Sequence, residues 1–311
     1  MSSLRSRYSM SQLGHVARKT IKASISAVGR GLHSDIDVHL RLCPAPVNTG
    51  IVFRRIDLGV DIPARFNNVT DTRLCTLISV GDAKVGTIEH LMAALAAASV
   101  DDLVIEIDGP EVPVFDGSAA PFMFLLGSAG VVEHGGARPT LEILRPVRVE
   151  KDGAFAELHP HPSGGKGFDI ALSITFAAQA IGTQAFTFHL SESGFVADIA
   201  KARTFTLRSE IEALHKVGLA RGGSLANAVV VDDDKVLNPE GLRYHDEFVR
   251  HKLLDVIGDL YLAGAPICGV FKGNKTGHGL NNQLLRAVFS DQANYRLATG
   301  QLAAPLQLTA A

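Results

Sequence analysis

Residues 246–264 read DEFVRHKLLDVIGDLYLAG, and most of them are apolar. This pattern predicts one long, buried α-helix that ends before Pro266. Within the stretch, His251, Asp255 and Asp259 recur at every fourth position, which aligns them along one side of the helix. Because an unpaired carboxylate is costly to bury, such a group normally binds a cation or becomes neutral. The polar side of this helix is therefore the first candidate site in the sequence.

The spacing of His251 and Asp255 lets two side chains reach one metal ion from a single helix. The same spacing is more common between side chains that merely contact each other on a solvated helix surface. The apolar residues around this pair argue against such a surface, and they therefore favour a metal site. A second motif, GTIEHLMAAL (residues 86–95), places Glu89 and His90 side by side near the start of another apolar helix. It is not the H-E-x-x-H pattern of zinc proteases, because no second histidine follows.

This second motif has two interpretations. Glu89 could be a residue of the helix cap beside a packed His90. Alternatively, His90 is a third metal ligand and Glu89 accepts a proton from a metal-activated water. Two histidines and one carboxylate with an open fourth position is the ligand count of a catalytic zinc, although iron or cobalt would accept the same set. A third motif, KTGHGLNNQLL (residues 275–285), has glycines on both sides of His278 and is only suggestive by itself.

The bulk composition restricts the class of protein. The 311 residues include 30 basic and 32 acidic ones, so no polyanionic partner is implied and we expect no nucleic-acid binding. No run of apolar residues reaches the length that a membrane span needs. The three cysteines are widely spaced and form no C-x-x-C motif, which favours a reducing compartment over a disulfide framework. We therefore expect a cytoplasmic location.

The order of predicted elements favours an α+β protein of two domains, because strands and helices mix without a strict βαβ alternation. Residues 1–18 are rich in Arg and Ser and carry no acidic residue, which is typical of a transit peptide or of a plain disordered extension. We predict the disordered extension. EHGGARP (residues 133–139) has the composition of a linker, so we predict domains at 19–135 and 136–300, with an insertion near 204–230.

Five helices are predicted from apolar periodicity and end signals, the first with Thr87 as its N-cap. They cover residues 87–99, 119–130, 208–218, 246–264 and 276–290.

Several longer motifs resemble one family of enzymes. GTIEHLMAAL, PVFDGSAAPF, ARTF, LNPEGLRYHDEFVRHKLLDVIGDLYLAG and GHGLNN occur in the order and approximate spacing of the UDP-3-O-acyl-N-acetylglucosamine deacetylase family, and GRGLHS and DTRLCT also match. The resemblance runs from about Lys19 to about Ser290. It implies a hydrolase of lipid A (lipopolysaccharide) biosynthesis in Gram-negative bacteria, which uses one zinc ion per chain to remove acetate from a UDP-linked, acylated amino sugar. The implied fold has two α+β domains of similar topology, each a β-sheet layer with two packed helices, and the helix layers face each other around the active site.

The resemblance also implies roles for individual residues, matched position by position. The zinc ligands would be His90, His251 and Asp255. Glu89 would be the general base and His278 the proton donor, with Asp259 keeping His278 protonated. Thr204 would bind the developing oxyanion, Lys252 would contact the substrate, and Phe205 would lie against the sugar or the acyl chain. Three positions depart from the family pattern, namely Asp35, Asp102 and Gly279, and none of them is a ligand or catalytic position.

Some alternatives stay open. The apolar residues after ARTF could form an acyl passage or could simply pack their own helix: Phe205, Leu207, Ile211, Leu214, Val217 and Leu219. The same fold could act on a different acetamido sugar or acyl amide. A structural metal in a cleft that only binds a nucleotide-lipid is a third possibility, which an intact base and acid disfavour. No sequence feature marks an interface, so we expect a monomer.

Overall fold

The computed structural model describes residues 16–162 and 165–299. The α-helices are α1 Glu89–Ala97, α2 Ala120–Ala129, α3 Glu192–Asp198, α4 Arg208–Lys216, α5 Glu247–Tyr261 and α6 His278–Phe289. The strands are β1 Ala17–Ile21, β2 Ile25–Arg30, β3 Asp37–Pro44, β4 Ile51–Arg55, β5 Val60–Pro63, β6 Val69–Asp71, β7 Leu77–Val80, β8 Ala83–Val85, β9 Leu103–Ile107, β10 Val131–Ala137, β11 Pro139–Ile143, β12 Val147–Lys151, β13 Ala154–His159, β14 Phe168–Thr175, β15 Thr183–His189, β16 Phe205–Leu207, β17 Val229–Asp232, β18 Lys235–Val236, β19 Ile267–Asn274 and β20 Tyr295–Thr299.

The first sheet has the strand order β2-β3-β9-β4-β5. Strand β9 pairs antiparallel with β3 and parallel with β4, and each of these belongs to an antiparallel hairpin. Burial alternates along β3, where Val38, Leu40 and Leu42 face the core and the residues between them face solvent. This two-residue period is the one expected for a sheet with one buried face.

The second sheet repeats this topology around β19. Strand β19 pairs antiparallel with β13 of the β12–β13 hairpin and parallel with β14 of the β14–β15 hairpin. In each sheet one helix precedes the central strand and one follows it: α1 and α2 flank β9, and α5 and α6 flank β19. Strands β11 and β20 extend the second sheet. The predicted α+β fold with two similar units is confirmed.

Each unit carries additional elements at the same place, between its second hairpin and its first helix. In the first unit these are β6, β7 and β8, which form a small antiparallel sheet. In the second unit they run from α3 to β18 and include the β16-β17-β18 sheet. The insertion that we predicted near 204–230 lies within this second set. The domain limits themselves stay a prediction.

The predicted linker, the end of the predicted N-terminal extension and the predicted cap of α1 differ from the sequence-based expectation. Most of the stretch predicted as a linker is strand β10, which pairs antiparallel with β1, so Ala17 and Arg18 are part of the folded chain rather than of an extension. Residues 1–15, where we also predicted disorder, lie outside the described residues. Thr87 does not cap α1, because the N-cap is Ile88 and the Thr87 hydroxyl donates to the Glu111 carboxylate instead.

The helices of both units share one apolar core with the inner faces of both sheets. Helices α1 and α5 pack against each other at its centre. Gly258 of α5 permits this, because a Cβ there would lie 2.0 Å from the backbone oxygen of Glu89. Within the described residues, no helix is long and apolar enough to span a membrane.

Candidate active site

The contact between α1 and α5 brings His90 close to His251 and Asp255. The two imidazole rings lie 4.9 Å apart between centroids, edge to face. The Asp255 Oδ1 atom is 3.4 Å from His251 Nε2 and 3.8 Å from His90 Nε2. One potential ligand atom from each of the three residues lies within 4.8 Å of the other two, and all three residues are buried. The structure therefore brings the predicted metal ligands together.

The chemistry of these three residues fits a divalent metal. Asp255 Oδ1 is buried and has no hydrogen-bond partner among the described residues, which is unfavourable for a carboxylate unless a cation binds there. His251 Nδ1 donates to the backbone oxygen of Ala202 over 3.1 Å, which leaves the Nε2 lone pair facing Asp255. Burial and the repulsion of His251 lower the pKa of His90 to about 3. Its ring is therefore neutral and can bind a metal ion through a nitrogen lone pair. Two neutral imidazoles and one carboxylate match a catalytic zinc site.

The charge of Asp255 is retained despite burial. Burial alone would raise the pKa of this carboxyl group, but the attraction of Lys252, His251 and His278 outweighs it, and the pKa is lowered. Lys252 Nζ donates over 2.8 Å to Asp255 Oδ2, whereas the two imidazoles lie next to the other oxygen, Oδ1. Asp255 thus stays ionised and keeps one oxygen free.

Glu89 lies beside the ligand group at the start of α1. Its Oε2 atom accepts a hydrogen bond of 3.0 Å from the backbone N–H of Thr76. Burial raises the pKa of Glu89 to about 7, against the opposing attraction of His278. A carboxylate with this pKa can accept a proton near neutral pH and release it again.

His278 is the first residue of α6 and pairs with Asp259 of α5. Its Nδ1 donates to Asp259 Oδ2 over 2.9 Å, and the Asn281 side-chain amide donates to the same oxygen over 2.8 Å. Burial would lower the pKa of His278, but Asp259, Glu89 and Asp255 outweigh it and raise the pKa to about 9. The imidazole is therefore cationic at neutral pH, and its Nε2 proton is the one available for transfer.

All nine predicted site residues except Asp259 line one cavity of about 200 Å³. Asp259 lies directly behind His278. Phe205 forms part of the wall, with its ring 5.0 Å from that of Phe248 and 6.2 Å from that of His251. Thr204 is held by its backbone N–H, which donates to the backbone oxygen of Gly117 over 2.8 Å.

A larger groove of about 770 Å³ adjoins this cavity and shares Thr204 and Phe205 with it. Of the residues proposed from sequence as an acyl passage, Phe205, Ile211 and Leu214 line the groove. Leu207 lines the smaller cavity. Val217 and Leu219 line neither, and Val217 is 70% exposed. Other apolar lining residues include Leu32, Leu74, Leu225, Val230 and Leu237.

The ion pair between Arg203, which shortly precedes β16, and Glu247 was not predicted from the sequence. Arg203 is fully buried, and both its backbone N–H and its Nε donate to Glu247 Oε1 over 2.9 Å. The pair ties the segment before Phe205 to the first turn of α5, which carries His251. The motifs that contain these residues were visible in the sequence, but a contact across 44 positions was not.

His33 was also missed, although it borders both cavities. Its Nδ1 accepts from the backbone N–H of Ala220 over 3.3 Å, so the ring proton is on Nε2. Nε2 is buried and has no partner among the described residues. Burial lowers the pKa of His33, which makes the ring neutral near pH 7.

A buried base and a cationic acid on either side of a two-histidine, one-carboxylate ligand set are the parts of a metal-assisted hydrolase. The family model described as LpxC, UDP-3-O-acyl N-acetylglycosamine deacetylase, matches residues 18–290. The chain belongs to this deacetylase family, and the resemblance noted in the sequence is confirmed.

Individual relatives agree with this assignment. A UDP-3-O-acyl-N-acetylglucosamine deacetylase of Legionella pneumophila (strain Philadelphia 1) is 48% identical over 281 residues, which cover 89% of this chain and 91% of the relative. A protein of the same description from Shewanella frigidimarina is 48% identical over 289 residues, 91% of this chain and 93% of the relative. A third, from Shewanella sp. (strain ANA-3), shows the same identity and coverage.

Proposed function

We propose that this chain hydrolyses the acetamide of UDP-3-O-(3-hydroxyacyl)-N-acetylglucosamine and releases acetate and UDP-3-O-(3-hydroxyacyl)-glucosamine, the committed step of lipid A biosynthesis. The observation that carries the proposal is the convergence of Glu89 and His278 on the cavity that contains the free oxygen of Asp255. A protein that only binds the nucleotide-lipid has no use for a base and an acid at this position.

We infer that one zinc ion per chain is held by His90, His251 and Asp255. When bound, zinc polarises a carbonyl group and lowers the pKa of a water molecule. The remaining work falls to side chains of the chain itself. Glu89 accepts a proton from the attacking water, whose oxygen bonds to the acetamide carbon.

The tetrahedral carbon that results carries a negative oxygen. We assign the Thr204 hydroxyl and cationic His278 to stabilise this oxygen, because both border the cavity. His278 then gives its Nε2 proton to the nitrogen as the carbon–nitrogen bond breaks. Acetic acid and a neutral amine leave, and the acid then ionises to acetate in solution, while Glu89 loses and His278 regains a proton. An amine leaves far more easily than an amide anion.

We assign the substrate contacts to the same cavity. Lys252 would contact the substrate and Phe205 would lie against the sugar or the acyl chain, since both residues line the cavity. The UDP-linked substrate and the three free cysteines of the described chain suit a cytoplasmic enzyme. We also expect a monomer, which light scattering on the purified protein would check.

The test is acetate release from the acylated UDP-sugar, with and without a chelator. We expect chelator-sensitive release, and a folded His251→Ala variant that has lost most of its zinc and nearly all activity. Release from another acetamido sugar only would replace the substrate in the proposal. Full zinc occupancy in folded His251→Ala protein would refute the ligand assignment, and absence of release from any such substrate would favour a binding protein.

A further inference from the structure

Thr76 connects the base and the acid of the site. It precedes β7 in the DTRLCT motif, which the proposed function does not use, and it is buried. Its backbone N–H donates to Glu89 Oε2 over 3.0 Å, and its hydroxyl donates to Asp259 Oδ1 over 2.5 Å. In the part of the chain that the structure describes, Thr76 is the one residue hydrogen-bonded both to the base and to the carboxylate behind the acid.

The hydroxyl bond completes the set of donors around Asp259. Oδ2 accepts from His278 and Asn281, and Oδ1 accepts from Thr76. Asn281 is itself oriented, because Thr276 donates to its side-chain oxygen over 2.8 Å. The terminal torsion of an aspartate is broad, so a carboxylate held at one oxygen only can rotate. Three donors at two oxygens fix the plane in which Oδ2 meets the imidazole.

The backbone bond acts in the same way on the base. It engages one oxygen of Glu89 and selects the orientation of the carboxylate relative to the cavity. The carbonyl of Thr76 also accepts from the backbone N–H of Ile88 over 3.5 Å, directly before Glu89. One residue therefore sets the position of the start of α1 and of the Asp259 side chain together.

We propose that Thr76 is a positioning residue that holds Glu89 and the Asp259–His278 pair in fixed relative geometry. This inference rests on the proposed function for its kinetic consequence, but its structural consequence can be measured without turnover. The alternative is that Thr76 merely fills space in the core, in which case a side chain of the same shape would serve equally well.

Thr76→Val separates these two readings, because it keeps the branched shape and the backbone N–H and removes only the hydroxyl bond to Asp259. We expect kcat to fall about 10–100-fold with KM and zinc content unchanged. The low-field proton resonance of His278 Nδ1–H, assigned by its absence in His278→Ala, should shift or broaden. Thr76→Ser, which keeps the hydroxyl, should restore both, and Thr70→Val, at an exposed position of β6, should change neither.

Wild-type kcat and an unmoved resonance in Thr76→Val would overturn the inference. So would a loss of kcat that follows only from lower folding stability or zinc content while the resonance stays in place. If Thr76→Val does not fold, Thr76→Ala removes the same hydroxyl and is judged by the same criteria. A wild-type protein without deacetylase activity would refute the proposed function, and the resonance would still report on Thr76.

Discussion

Asp255 and Asp259 are one helical turn apart on α5, yet they are suited to different tasks. Asp255 has a buried oxygen without a hydrogen-bond partner in the described chain, whereas both oxygens of Asp259 accept hydrogen bonds. A carboxylate with a free, buried oxygen can bind a cation, whereas one whose oxygens are both occupied orients its donors and stabilises their positive charge. This difference in hydrogen bonding depends on neighbouring residues from other elements. It could therefore not be predicted from the spacing of Asp255 and Asp259 in the sequence.

The pH dependence of the reaction follows from Glu89 and His278. In the proposed mechanism, activity needs Glu89 ionised and His278 protonated, so the rate should rise near pH 7 and fall near pH 9. In Asp259→Ala the imidazolium loses the adjacent negative charge that stabilises it, so the pKa of His278 falls. We expect a drop in rate of about 10–100-fold, intact zinc and a basic limb at lower pH.

The control for this variant is Asp61→Ala, which removes an exposed carboxylate of a surface ion pair and should leave the profile unchanged. The measurement is kcat/KM against pH for the three proteins. A basic limb that stays in place in Asp259→Ala would show that Asp259 does not tune His278.

The departure from the family pattern at Asp102 has a structural reason. Its carboxylate accepts two hydrogen bonds of 2.7 Å from the Arg18 guanidinium, one from the Gly50 backbone and one from His134. Asparagine, the residue expected at this position from the family pattern, has only one acceptor oxygen and would turn an amide donor toward Arg18. These partners could not be predicted from the sequence, because Arg18, Gly50 and His134 are 84, 52 and 32 positions away from Asp102.

This ion pair predicts a stability difference. Asp102→Asn leaves the buried charge of Arg18 without its counter-ion, which should lower the free energy of unfolding by about 3 kcal/mol. The matched change at an exposed pair, Asp61→Asn, should cost less than about 1 kcal/mol. Urea unfolding of both variants checks the prediction, and equal losses would mean that the Arg18 pair contributes no more than a surface pair.

At the scale of elements, the distance between α1 and α5 determines whether the candidate metal ligands meet. His90 is carried by one helix and His251 and Asp255 by the other, and the helices approach closely at Gly258. The apolar periodicity of both helices was sufficient to predict that they are buried. Their mutual contact was not predictable from periodicity, because apart from the polar side of α5 both helices are apolar on nearly all sides, and this does not single out one packing face.

The close approach at Gly258 can be tested with one methyl group. Gly258→Ala places a Cβ 2.0 Å from the Glu89 backbone oxygen, so the helices must separate or shift. We expect weaker zinc binding, measured as faster loss of zinc to a chelator, together with lower activity. Gly127→Ala in helix α2 is the matched control, because nothing lies within 4 Å of its added Cβ.

Alanine is the better helix former by roughly 1 kcal/mol, so Gly127→Ala should be neutral or stabilising. Unchanged zinc release in Gly258→Ala would show that the site tolerates a change in the distance between the helices.

At the scale of the whole molecule, the site lies where two topologically equivalent helices cross. Helix α1 precedes β9 in the first unit, as α5 precedes β19 in the second. The sequence shows no internal repeat by eye, since the two units share strand pairing and connection order rather than visible residue patterns. The family resemblance could supply the two-unit architecture, but composition and periodicity could reach only the α+β class.

The two sets of additional elements occupy equivalent places in the two units, and both contribute to the groove beside the site. Leu74 comes from the connection between β6 and β7, whereas Ile211 and Leu214 come from α4. The apolar residues of α4 therefore face a space that their own unit does not fill. This placement favours the interpretation that Ile211 and Leu214 line an acyl passage rather than merely pack their own helix. It gives no such support for Val217.

We predict that this groove receives the 3-O-acyl chain of the substrate and that part of its binding energy serves catalysis. Each buried methylene is worth about 0.8 kcal/mol, so a chain of about ten could supply at most roughly 8 kcal/mol before ordering costs. Remote binding energy of this kind can align the acetamide with its catalytic groups. A substrate without the acyl chain should therefore lose at least about a hundredfold in kcat/KM. Leu214→Glu should reduce the preference for long over short chains with zinc content unchanged, whereas Val217→Glu, outside the groove, should keep it. Equal turnover of acylated and unacylated substrates by the native enzyme would exclude the passage and would reopen the choice of acetamido sugar.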